Sequence, residues 1–223
     1  MGIDLRARLL QTILIIPAIL IAFTVHSYAQ AFMADKLGDK KPRAEGRLTL
    51  NPIAHVDIFG FLMILLVQFG WGKPVNTNPR AYKNFYKDDL KVQLAGLASN
   101  LLTAILFTLI MFGFTKIYDQ TFNLSTISAS VGSIIWYILK FTIQINCMFG
   151  IINLIPIPGL DGFYIVRDLA PKFFYTNADK IYRYQLFILI AFIFPIFGGL
   201  SIADIIVGIP SSAIANFLVH LTY

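Results

Sequence analysis

The sequence predicts an all-α polytopic membrane protein, a single domain over residues 1–223, with about four spanning helices, one re-entrant segment and a short membrane-surface β-hairpin. Three observations carry that expectation. Hydrophobic residues make up 57% of the 223 residues, more than a soluble domain holds. They fall in continuous runs, several of them near the ~20 residues a helix needs to cross a ~30 Å hydrocarbon layer. Charged residues, only 13% of the chain, gather between those runs.

Leu9 to Phe32 is the first run and reads as a spanning helix, stopped by Gly38, a residue suited to a helix C-cap. From Ala44 to Asp57, Leu48 and Leu50 alternate with polar neighbours before the turn pair Asn51-Pro52, the pattern of a short strand or hairpin. Ile58 to Trp71 is apolar but too short to span, so it is expected to be re-entrant or interfacial. Lys73 to Lys91 is a polar loop in which Trp71, Tyr82, Phe85 and Tyr86 could anchor at the interface. Leu94 to Phe114 is a second span, and the small residues of Ala95-Gly96-Leu97-Ala98-Ser99 allow close helix packing. Ile127 to Ile155 is a third, ended by Pro156 and Pro158. Leu186 to Ile209, interrupted by Pro195, Gly198 and Gly199, supplies the last span before an apolar tail.

Charge tests this topology. If Ile58 to Trp71 turns back, the loops at Lys36 to Arg47, Lys73 to Lys91 and Arg167 to Arg183 share one side and hold five, five and four of the 18 lysines and arginines. That side is cytoplasmic by the positive-inside bias, which also accounts for the net charge of +6 without a nucleic-acid partner. Cys147 stands alone, so no intrachain disulfide can form.

Polar residues inside the first span mark the candidate site, because polar groups at membrane depth are costly. His26 and Gln30 lie four apart on one helix face, with Ser27 on its flank. The spacing is that of the zinc-binding H-E-x-x-H helix, with Ser27 and Gln30 in place of two of its three chemical letters. Under the re-entrant topology Asp161, beyond the Pro156-Ile157-Pro158 break, comes to the same cytoplasmic end as His26.

The ordered set of motifs resembles the site-2 protease family of intramembrane zinc metalloproteases, in its compact bacterial form. The supports are His26 to Gln30 with Leu37-Gly38-Asp39, Gly46-Arg47-Leu48-Thr49-Leu50-Asn51-Pro52 with His55-Val56-Asp57, Gly70-Trp71-Gly72-Lys73-Pro74-Val75, the Ala95 to Asn100 stretch, and Asn153 to Asp161-Gly162. The resemblance implies a site-2 protease core in which zinc is held by His26, the Gln30 position and Asp161. It implies that Ser27 occupies the place of the glutamate that activates water, and that Asn153 lies near the substrate backbone. A catalytic zinc takes three imidazole, thiolate or carboxylate ligands, and a glutamine amide is a weak substitute. Loss of a general base costs ~10²–10⁴-fold in rate.

The leading expectation is therefore a non-proteolytic homologue, a pseudoprotease, that binds a transmembrane segment of a client in the lipid bilayer of a bacterial cytoplasmic membrane, with zinc bound weakly or not at all. The alternative is an active intramembrane zinc metallopeptidase with His55 as substitute ligand and Asp57 as the nearest acid. A small-solute or ion pathway is a third, more distant reading.

Overall fold

The computed structural model describes residues 5–67, 70–121, 126–195 and 198–223. Helix α1, Leu5–Leu37, outlasts its apolar run because the residues after Phe32 continue without a breaker. It stops at Gly38, whose φ of +114° is reached without strain by glycine. A short helix α2, Lys41–Ala44, follows.

The hairpin expected over Ala44 to Asp57 does not form. Asn51 instead caps a 3₁₀ turn, Pro52–Ala54, accepting from Ile53 N at 3.1 Å. The Arg47 guanidinium donates to the carbonyls of Ala54, Lys73 and Pro74, tying this segment as a loop to residues 73–74. The only pairing here among the described residues is one antiparallel bridge, Val56 with Gly72.

That bridge decides the path of the next segment. Helix α3, Ile58–Val67, leaves beside Val56, and the chain is back beside it at Gly72, so the segment is re-entrant as its length predicts. Gly60 lies so close to Trp71 that a Cβ there would strike the Trp71 carbonyl. Ile58, Phe59 and Leu62 are exposed on α3, an apolar face suited to lipid.

Helix α4, Phe85–Thr121, begins well before the predicted Leu94, absorbing a polar stretch that holds Asp88, Asp89 and Gln93. Tyr82, expected as an interface anchor, is buried with Ala34 and Val92. Helix α5 is Thr126–Ile152. The bundle is built on α1, α4 and α5, and α1 is its inner member: 44% of its apolar window is buried against 28% for each of the others.

After α5 the chain turns through Gly159, at φ +98°, into α6, Asp161–Leu169, and then α7, Pro171–Ile193. The expected fourth span over Leu186 to Ile209 is not one helix. Pro195 has no N–H to continue α7, and Gly198 and Gly199 take φ of +59° and +93°. The chain resumes as a π turn, Asp204–Gly208, and helix α8, Ile209–His220, which packs on α5 through Ala215 and Val219. Among the described residues three helices are thus long and apolar enough to cross a membrane, with 204–220 a shorter apolar helix.

Candidate functional site

Asp161 is the first residue of α6, and its position is set by the turn before it. Gly162 N donates to the Asn153 carbonyl at 2.6 Å, and a Cβ on Gly162 would collide with the Leu154 carbonyl. This close return swings the carboxylate onto α1. Asp161 Oδ2 lies 3.0 Å from His26 Nε2, and Asp161 Oδ1 accepts from Gln30 Nε2 at 2.9 Å. The i, i+4 pair on α1 therefore meets Asp161, as the sequence spacing and topology lead one to expect. Ser27 is buried beside them.

The other edge of His26 is held by α4. Asn100 Nδ2 donates to the Ala22 carbonyl at 3.1 Å and to Asn146 Oδ1 at 2.9 Å, so Asn100 Oδ1 is left to accept from His26 Nδ1 at 2.7 Å. Nδ1 thereby carries a proton, and Nε2 faces the Asp161 carboxylate. Gly96 makes room for the ring: a Cβ there would stand 2.6 Å from His26 Cε1. Phe149 of α5 packs edge-on against the imidazole, with ring centroids 5.2 Å apart.

Beyond Gln30 the polar contacts continue. Gln30 Nε2 also approaches Gln93 Oε1 at 3.4 Å, Gln93 Nε2 donates to Asp89 Oδ2 at 3.1 Å, and Asp89 pairs with Arg167 of α6. Arg167 Nε donates to Asp168 Oδ1 at 2.7 Å. Burial opposes the charge on Arg167, but the two carboxylates outweigh it and hold its pKa above the usual value. Burial raises the Asp168 carboxyl to about 6.

Sequence reading did not single out Asp89, Gln93 or Asn100 for a role. The available signal was their spacing with Gly96: steps of four, three and four put all of them on one face of α4.

The side chains of His55 and Asn153 bond to backbone carbonyls and not to the side chains of this cluster. His55 is fully buried in the loop before α3, and its Nε2 donates to the Thr49 carbonyl at 2.7 Å. Asn153 Nδ2 donates to the Phe149 carbonyl at 2.9 Å. Asp57 accepts from Gly60 N at 2.8 Å, capping α3. Among the described residues no three His, Cys, Asp or Glu side chains converge.

The profile of peptidase family M50 matches residues 16–195, a stretch that includes every residue of this cluster. The chain belongs to this family, the site-2 proteases. Within it, YwhC of Bacillus subtilis (strain 168), named as a candidate zinc metalloprotease, is 36% identical over 164 residues, 69% of this chain and 67% of that protein. Rip2 of Mycolicibacterium smegmatis, named likewise, is 27% identical over 157 residues, 68% of this chain. Rip2 of Mycobacterium tuberculosis (strain H37Rv) is 23% identical over 192 residues, 84% of this chain and 69% of its own length. This chain spans 55% of the M. smegmatis protein. No solved structure matches it significantly.

By these names the metal of the relatives is zinc, and two groups here have the chemistry of zinc donors. An imidazole nitrogen and a carboxylate oxygen face each other at 3.0 Å, and Asp161 Oδ2, which is buried, has no partner besides that ring. Among the described residues no third donor joins them. A zinc ligand must offer a lone pair, and the Gln30 atom turned to this point is its amide nitrogen, which has only hydrogens to offer. The residues present do not make the three-donor set of a catalytic zinc.

Proposed function

We propose that this chain is a non-proteolytic site-2 protease homologue that holds a transmembrane segment of a client membrane protein without cutting it. The observation that carries the reading is the amide of Gln30, not an imidazole, against Asp161, with Ser27 in the position where the family resemblance expects the water-activating glutamate. A serine hydroxyl has no pKa near neutrality and cannot act as that base. The scaffold around the site, an inner helix, two flanking spans and a re-entrant segment, supports the reading. The site sits at the cytoplasmic face of a bacterial membrane on this reading, because the basic loops next to it follow the positive-inside bias.

The test is repair. Ser27→Glu with Gln30→His should restore stoichiometric zinc and cleavage of a membrane substrate of the family, raising cleavage at least ~10²-fold over the natural chain. A folded double mutant that takes up zinc and still cuts nothing, or a natural chain that cuts as well as the double mutant, would sink the proposal.

A further inference from the structure

The hydrogen bonds that run from α6 through α4 to α1 have a direction, and it can be read from the one member that only donates. Arg167 has five N–H groups and no acceptor, so Asp89 Oδ2, which it touches, must accept. The same oxygen faces the end of the Gln93 amide, 3.1 Å away. Two acceptors repel at that distance, so Gln93 turns its NH₂ to Asp89 and its carbonyl oxygen to Gln30. That oxygen in turn requires a donor, and Gln30 meets it with its NH₂ at 3.4 Å. The second hydrogen of this NH₂ goes to Asp161 Oδ1 at 2.9 Å. Amide ends are assigned by the partners they meet, and here every partner back to Arg167 agrees.

The orientation of Gln30 is therefore held from two sides, by the Asp161 carboxylate within the site and by Gln93 outside it. Gln93 is 7% exposed and Asp89 1%, so water does not offer either an easy substitute partner. An ion entering between His26 and Asp161 would meet the nitrogen of Gln30, and turning the amide over would set its oxygen against the Gln93 oxygen.

We propose that Gln30 is a hydrogen-bond donor that holds Asp161 where a metal would otherwise do so, and that Gln93, backed by Asp89 and Arg167, is a positioning residue that keeps the amide turned away from metal binding. The arrangement ties α1, α4 and α6 together by a polar clasp in place of a metal. It rests on the reading of this site as one without its family's zinc chemistry, and the measurements below separate the two.

The test is cobalt(II) binding to the full-length, detergent-solubilised chain, followed by visible d–d absorption, with the fold of each variant checked by circular dichroism melting. Gln30→Ala should leave cobalt affinity within about threefold of the natural chain, since the end of the amide turned to Asp161 offers no lone pair; no detectable binding in either is the same result. Gln93→Leu should tighten binding about tenfold, because the freed amide can present its oxygen at the cost of roughly one hydrogen bond fewer. Gln93→Met serves the same purpose should the branched side chain prevent folding. Gln30→Glu, which supplies a carboxylate, should bind more tightly still and melt at a temperature that rises with cobalt.

A tenfold or greater loss of affinity on Gln30→Ala would show the lone pair already in use and overturn the proposal. Unchanged affinity in folded Gln93→Leu and Gln93→Met would overturn the positioning role. Tight cobalt binding through Gln30 by a natural chain that cuts nothing would defeat the donor assignment and spare the non-proteolytic reading. Cleavage by the natural chain, with Gln30→Ala neutral in cobalt binding, would do the reverse.

Discussion

His26 and His55 are both buried, yet they are built for opposite purposes. His26 sits in α1 with Nδ1 committed to Asn100 and Nε2 turned to a carboxylate, so the ring keeps one edge for chemistry. His55 sits in a loop and commits Nε2 to the Thr49 carbonyl, while its Nδ1 is buried without a hydrogen-bond partner. Burial, helped by the nearby Arg47 charge, lowers the pKa of His55 and keeps it neutral. The loop around it is held by Arg47, itself 2% exposed and bound to three backbone carbonyls. A histidine near a metalloprotease motif is thus a ligand candidate only when its free edge points at another donor. His55 anchors the entry to the re-entrant segment, and the site keeps a single imidazole.

The sharpest test of that division is Arg47→Met. Removing a buried guanidinium that satisfies three carbonyls should cost about 3 kcal/mol of stability, read from the unfolding midpoint in detergent. The cobalt affinity of the folded variant should not change. If stability and affinity fall together, the two regions are one unit and the comparison breaks.

A smaller effect is expected at Gly96→Ala, where the new Cβ crowds the His26 ring. Overpacking of this kind costs ~1–3 kcal/mol. Combining it with His26→Ala should recover most of the loss, a coupling absent from the pair Gly96→Ala and His55→Ala.

The smallest effect is in the pH dependence of melting, where the two regions pull in opposite directions. Asp168, flanked by Arg167, Asp89 and the Tyr86 hydroxyl, has a pKa raised by burial from 3.8 to about 6 in the fold. The folded chain then binds more protons than the unfolded one between these values, so this contribution to stability is lost as pH rises from about 4 to 6. Asp168→Asn should remove that limb, stabilising the protein above pH 6 and not near pH 4. His55 behaves the other way: its folded pKa lies below 6.5, and stability is lost as pH falls below that value. His55→Asn should flatten that second limb. A variant that flattened both would show the two regions titrating together.

Much of this protein was legible in its chain. The three long helices follow from apolar runs, the stop of α1 from Gly38, and the turn-back at α3 from a run too short to cross. The meeting of His26, Gln30 and Asp161 followed from an i, i+4 pair and from loop charges that place both motifs at one end. The hairpin failed because period-2 alternation over so short a stretch is a weak signal, and Asn51-Pro52 starts a 3₁₀ turn where the second strand would have begun. The fourth span failed because Pro195 and two left-handed glycines cut an apolar run into pieces.

Residue types and spacing alone pointed to a polar site within the first long helix, with His26 and Gln30 on one face and Ser27 on its flank. Only the tertiary structure decided which histidine belongs to it and which end of the Gln30 amide faces Asp161. The reason is physical: a hydrogen bond's direction depends on the partners that converge from other elements, and here they come from α4 and α6, more than sixty residues away in the chain.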